Sequence, residues 1–248
     1  MTVSIDGSNG VVFNDLTTQN TSAFYGGLAF RNRIINGAMV ISQRNAGAAI
    51  NPATDGSYPL DRWQLVSSQT SKFSVQQNAA SVTPPVGFAN YLGATSLSSY
   101  TVISTDSFAI QQKVEGFNIA DLGWGTASAA TVTLSFWVRS SLTGTFGGAL
   151  STGGYARAYP FSYTINAANT WEQKSITIAG DTSGTWPSNN TEGIRVAFSL
   201  GAGSARSGTA GAWVASSATN ATGATSVVGT SGATFYITGV QLEKGSTA

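Results

Sequence analysis

Neither histidine nor cysteine occurs among the 248 residues. Their absence excludes Ser-His-Asp and Cys-His catalysis, thiolate nucleophiles, the usual zinc sites and any disulfide framework. Charge is nearly as scarce: 12 Lys plus Arg and 11 Asp plus Glu make 9% of the chain, where an ordinary soluble domain carries about 25%. A folded chain of this size exposes roughly 10,000 Å², or about one charge per 450 Å². A surface so poor in charge is expected to be covered in large part by other protein, so the expected state is a homo-oligomer, a trimer by preference. Four Lys and a net charge of +1 supply no basic stripe for a phosphate backbone, whose binding scales with the phosphates neutralised; nucleic acid is not an expected partner. Long apolar runs are missing too. None approaches the ~20 residues that span a bilayer, and the first six residues have neither the cationic start nor the apolar core of a secretion signal, so no membrane insertion is expected.

What is present is period-two alternation, without sustained helical amphipathicity. From Thr131 to Arg139, Val132, Leu134, Phe136 and Val138 share one face while Thr133, Ser135, Trp137 and Arg139 share the other. Three more inward rows follow the same rule: Phe108, Ile110, Gln112 and Val114; Tyr159, Phe161, Tyr163 and Ile165; Ile194, Val196, Phe198 and Leu200. Further strands are expected near 59–67, 71–77, 172–178 and 234–242. About eight antiparallel strands in one domain predict an all-β chain, a jelly-roll sandwich. In the last strand Phe235 and Ile237 fall in one register and Val240 and Leu242 in the other. A β-bulge near Thr238-Gly239 would return both pairs to the core.

Two regions differ from the sandwich, which is expected over 31–248. Residues 1–30 carry a hairpin signal, Val3-Ser4-Ile5 and Val11-Val12-Phe13, and then a polar stretch. They read as an arm for attachment or oligomer contacts. Residues 201–233 are dominated by Gly, Ala, Ser and Thr, with Trp213-Val214 and Val227-Val228 as the only anchors. A loop of this length is usually functional or disordered; it is expected to lie on the surface and to order against a neighbouring subunit.

Gly10-Val11-Val12-Phe13-Asn14-Asp15-Leu16-Thr17-Thr18-Gln19-Asn20-Thr21 resembles a short β-motif of bacteriophage tail fibres, Asn14 and Leu16 departing from its usual Pro and Gly. Asn32-Arg33-Ile34-Ile35-Asn36-Gly37-Ala38-Met39-Val40-Ile41-Ser42-Gln43-Arg44, followed by Asp61-Arg62-Trp63, resembles the opening of a phage structural domain. The similarity continues through Phe136-Trp137-Val138-Arg139-Ser140, Gly180-Asp181 with Trp186, and Phe235 to Gly245. The resemblance implies a virion surface protein, a tail fibre or a capsid-attached fibre or decoration protein. Its fold would be a jelly roll like that of carbohydrate-binding modules, held to other virion proteins through residues 1–30. A host surface polysaccharide is the implied ligand.

Six Trp, eight Tyr and twelve Phe supply aromatic faces on which the apolar CH side of a sugar can stack. Trp137 belongs to the outward row of its strand, and Trp124, Trp186 and Trp213 sit in Gly-rich loops. Each is a candidate glycan platform, interface anchor or satellite-core residue, whereas Trp63 is assigned to the core. Asp61 and Arg62 are given structural hydrogen-bonding roles. Glycan cleavage needs two carboxylates about 5 to 9.5 Å apart. The acids show no signature pair, Asp181, Glu192 and Glu172 being the ones a loop could bring together. A non-enzymatic role is therefore expected, with a glycan-cleaving receptor-binding protein as the alternative. No cofactor is expected beyond a structural Ca²⁺ on Asp55, Asp61 or Asp181, since calcium takes oxygen ligands.

Overall fold

The computed structural model describes residues 31–247 and, before them, the short strands β1 (Ser4–Asp6), β2 (Gly10–Val12) and β3 (Thr18–Gln19). The chain divides into two units, Met1–Asn32 and Arg33–Ala248. In the first, β1 pairs antiparallel with β2, Ser4 opposite Val12 and Asp6 opposite Gly10, and β3 adds to β2. The expected hairpin is therefore present, extended by a third strand drawn from the polar stretch. The remainder of the expected arm lies outside the described residues.

The second unit is built from β4 (Trp63–Ser67), β5 (Phe73–Gln77), β6 (Leu92–Ser96), β7 (Ser107–Glu115), β8 (Val132–Ser140), β9 (Gly144–Thr152), β10 (Ala158–Ile165), β11 (Glu172–Ile178), β12 (Glu192–Ala202), the two-residue β13 (Ser207–Gly208) and β14 (Asn220–Ala221), and β15 (Thr234–Lys244). Two five-stranded antiparallel sheets, ordered β10-β9-β12-β7-β4 and β11-β8-β15-β6-β5, face each other as a jelly-roll sandwich. The inward rows read from the sequence meet between them. Phe136 and Phe198 are fully buried and touch edge to face with ring centroids 4.9 Å apart. Gln112, in an otherwise apolar row, is also fully buried. Its side chain accepts from the Ile35 N–H and donates to the Ile35 carbonyl, both at 2.8 Å, so burial leaves no unmet amide there.

β6 and β9 have no counterpart among the expected strands, and packing explains both omissions. A Cβ on Gly148 would stand 2.2 Å from the Ala197 carbonyl oxygen and 2.5 Å from the Phe161 ring; one on Gly93 would stand 2.6 Å from the Tyr236 ring. Close approach selects small residues with poor strand propensity, which removes the signal that propensity reading needs. The expected bulge is present: register shifts between Thr238 and Gln241, Gly239 has φ +61°, and Phe235, Ile237, Val240 and Leu242 are all buried.

The segment from Arg33 to Arg44 is bonded to strands of both sheets, Arg33 N–H to the Leu242 carbonyl and Ile35 N–H to the Gln112 side chain. Asn36, at φ +58°, donates through Nδ2 to the carbonyls of Ile41 and Asp61 and accepts the Ile41 N–H. Trp63 Nε1 donates to the Asn36 carbonyl at 3.0 Å, and Asp61 Oδ2 accepts the Gln43 N–H at 2.6 Å. Met39 is fully buried, and the Val240 N–H reaches the Gly37 carbonyl beside the bulge. The polar residues of the motif thus tie backbone to backbone, and the structural role expected for Asp61 is the one observed.

The stretch 201–233, expected on the surface, packs on its own chain: β13 and β14 pair in parallel, Val214 exchanges backbone hydrogen bonds with Ala158, and Ala218 to Ala221, Val227 and Val228 are buried. Small side chains let it lie flat on the outer face of the first sheet, where Gly147 leaves room for Asn220.

Candidate functional site

The rest of that outer face is open. Alternation that points Trp63, Leu65, Phe108, Ile110, Val114, Ile194 and Val196 inward turns Gln64 and Val66 of β4, Gln111, Lys113 and Glu115 of β7, and Arg195 of β12 outward. Gln64 and Gln111 are register partners, and Gln111 Nε2 donates to Gln64 Oε1 at 2.9 Å. The Gln111 side-chain oxygen is buried without a partner among the described residues, an acceptor that costs free energy until a donor reaches it.

Lys113 and Arg195 are also register partners, an arrangement that repels unless an anion intervenes. Glu192 supplies it, with its carboxylate 2.6 Å from Arg195 Nη2 and 3.7 Å from Lys113 Nζ. The Arg195 guanidinium lies 3.8 Å from the centroid of the Tyr155 ring. Burial lowers its pKa to about 10, so it is still cationic at neutral pH. Tyr155 is held over the sheet by the β9–β10 turn, in which Gly154 and Tyr155 itself take left-handed φ values of +75° and +59°.

Together these residues floor a continuous groove. Three depressions of about 330, 310 and 340 Å³ adjoin, the first and second sharing Gln64 and Lys113, the second and third sharing Asp55, Val66 and Tyr155. At one end stand Arg44, Tyr58, Arg62, Asn190, Glu115 and Glu192. At the other, Arg206 stands among the hydroxyl residues Ser67, Ser68, Thr105, Ser107 and Thr219. The Asp55–Tyr58 wall is fixed by backbone bonds to the edge of β4, Gly56 N–H to the Leu65 carbonyl and Leu65 N–H to the Ser57 carbonyl. The opposite wall includes the 201–233 stretch, tied down where the Ser107 and Thr219 hydroxyls meet at 2.9 Å. Length, polarity and two tyrosines suit the groove to an extended polar ligand with some apolar faces.

The four tryptophans singled out in the sequence lie elsewhere. Trp124, Trp186 and Trp213 come together edge to face, with centroids 4.7 to 5.3 Å apart, and Tyr159 joins them through Trp213. Their indole N–H groups donate to the carbonyls of Ala130, Ser183 and Ala179. Trp124 is only 6% exposed, the satellite-core alternative among those its sequence context offered: it anchors this cluster against the core, and Trp186 and Trp213 pack on it half-buried. Trp137 stands half-buried on the outer face of the second sheet, opposite the buried Phe136, as its place in the strand requires. None of the four lines the groove.

The acids considered for calcium do not converge. Asp55 Oδ1 accepts the Ser67 N–H, Asp61 accepts from Gln43, and the buried Asp181 pairs with Arg157. Among the described residues, no three acidic side chains come together as metal ligands. Glu172 is likewise occupied, accepting from Asn166, Ala167 and Lys174.

Sequence reading missed the groove. Gln64, Gln111 and Lys113 were available to it as the outward partners of inward rows, but Tyr155 is brought in by a turn, and Arg195 sits inside a long apolar strand.

No protein-family model and no curated protein sequence matches the chain. Solved structures do align. One is a bacteriophage CBA120 tailspike protein 4 domain, at 11% identity and TM-score 0.45, over 86% of this chain and 21% of that one. Another is a putative sugar binding protein from Bacteroides thetaiotaomicron, at 11% identity and TM-score 0.48, over 87% and 100%. A third is the family 11 carbohydrate-binding module of Clostridium thermocellum with a β-1,3-1,4-mixed-linked tetrasaccharide, at 12% identity and TM-score 0.36, over 79% and 97%.

Proposed function

We propose that this chain is a non-enzymatic glycan-binding protein of the bacteriophage particle surface, on a tail fibre or a capsid-attached fibre, and that it holds host polysaccharide in the groove over β4, β7 and β12. The carrying observation is the groove itself, whose middle depression is lined by Gln64, Gln111, Lys113 and Arg195 beside the half-buried Tyr155 ring. Sugar hydroxyls suit the polar floor, and a pyranose ring supplies a CH surface for the tyrosine. The virion part of the reading rests on the sequence resemblance, with residues 1–30 as the attachment arm and a homotrimer as the assembly.

Affinity electrophoresis of the whole chain through gels containing bacterial surface polysaccharides tests this reading. Retardation in at least one gel, lost in Gln111→Ala with an unchanged melting temperature, is the expected result. Retardation in none, or retardation lost in Trp137→Ala and untouched by Gln111→Ala, overturns it.

Cleavage is the second reading, and one observation favours it. Glu115 and Glu192 are register partners at one end of the groove, in environments that push them apart. Burial raises Glu192 against the charge of Lys113, whereas burial of Glu115 is outweighed by its hydrogen bond and ion pair with Arg62, which hold it low. Divergent carboxylates are what acid and base roles require. Release of reducing ends from a retained polysaccharide, abolished by Glu192→Gln, would establish cleavage in place of simple binding.

A further inference from the structure

We propose that the groove selects acidic glycans, polysaccharides bearing carboxylate sugars, and that Arg44 and Arg206 at its two ends take the carboxylates. This rests on the reading of the groove as a glycan site and adds the class of glycan.

The first ground is charge distribution. Five of the twelve basic side chains of the chain line the groove, against three of the eleven acidic ones. In a molecule of net charge +1, one trough therefore carries a local excess of two positive charges. Three of the five cations already have a carboxylate partner: Arg62 pairs with Glu115, and Lys113 and Arg195 share the single charge of Glu192. The two at the ends have no carboxylate partner among the described residues. There the Arg206 side chain donates to the Ser217 hydroxyl at 2.9 Å, and Arg44 lies over the Tyr58 ring, 5.4 Å from its centroid. Asp55, the remaining acid, turns one oxygen to the Ser67 N–H.

The second ground is geometry. A guanidinium stacked on a ring spends its face and keeps its in-plane N–H donors, the edge that a carboxylate engages with two parallel bonds. Arg44 lies over Tyr58 at 5.4 Å, a placement that lets it offer such an edge to the groove. Arg206 shares its depression with the exposed Thr105, whose hydroxyl can donate to the second carboxylate oxygen or to a neighbouring sugar oxygen, while the Ser67, Ser68, Ser107 and Thr219 hydroxyls are engaged with Gln69, Asp106 and each other. A neutral sugar would leave both guanidinium edges to water, whereas a uronate would fill them.

The test uses four acidic polymers, hyaluronan, polygalacturonate, alginate and polysialic acid, each also in carboxyl-reduced form, with neutral dextran and galactan beside them. Affinity electrophoresis of the full chain is expected to show retention by at least one acidic polymer. Carboxyl reduction of that polymer should weaken retention by about tenfold or more. Arg44→Gln and Arg206→Gln should each weaken it several-fold, while Arg139→Gln, the same charge change on the opposite sheet, should not. Retention that survives carboxyl reduction, or retention by neutral polymers alone, overturns the acidic preference and leaves the glycan reading standing. Equal loss in Arg139→Gln overturns it as well, since the attraction would then be diffuse. Retention by no polymer removes both.

Discussion

Arg195 and Tyr155 meet face to face at 3.8 Å, a cation on a strand capped by a ring that a left-handed turn delivers. A desolvated contact of this kind contributes about 2 kcal/mol, and it fixes the ring against the groove floor. Tyr155→Gly removes the ring while keeping a residue that accepts φ +59° without strain. The expected outcome is glycan retention weakened about tenfold or more with a melting temperature near that of the unaltered protein. Retention unchanged in this variant would show that the ring is not part of the site.

Face specificity in β8 is the sharpest test of the sandwich. Phe136 is fully buried against Phe198 and Tyr163, each 4.9 Å away by ring centroids, so Phe136→Ala should cost about 3–5 kcal/mol in urea unfolding. Trp137, one residue on, is half-buried on the other face. Trp137→Ala should cost roughly 1–2 kcal/mol and, if the trimer uses that face, lower the mass measured by light scattering. The reverse order of destabilisation would invert the strand.

How much of this was legible in the sequence depends on what each residue answers to. Phe136 and Trp137 could be assigned to opposite faces because alternation is a local geometric fact, and Gly239 betrayed its bulge by the change of parity around it. Gly93 and Gly148 gave no strand signal because their smallness answers to Tyr236 and to Ala197 with Phe161, residues far away in the chain. The tryptophans stayed open among three readings for a related reason. Trp124, Trp186 and Trp213 stand in loops that look exposed one at a time, and only the fold brings them together.

The two kinds of glycine separate cleanly by substitution. Gly148→Ala forces a Cβ against backbone at 2.2 Å and should cost about 3 kcal/mol or more. Gly154→Ala meets nothing within 4 Å and pays only for φ +75°, about 1–2 kcal/mol. Denaturant midpoints of the two variants check the ranking.

Glu172 makes stability depend on acid. Burial opposes its charge, but Lys174 and the Asn166 and Ala167 N–H groups outweigh it and hold the carboxyl at about 2. A folded-state pKa below the unfolded value means the contribution is full above the unfolded pKa and is lost as pH falls toward 2. Glu172→Gln should therefore destabilise the protein by about 1–3 kcal/mol at pH 7 and flatten the loss of stability between about pH 4.5 and 2. Urea unfolding across that range reads both effects.

Amide chemical-shift mapping during titration with oligosaccharides of a retained polysaccharide reads directly whether glycan occupies the outer face of the first sheet. The largest shifts are expected on Gln64, Gln111, Lys113, Tyr155 and Arg195, with the Trp124, Trp186 and Trp213 cluster and Trp137 unmoved. Shifts centred on any of those tryptophans, with the five groove residues silent, would contradict it.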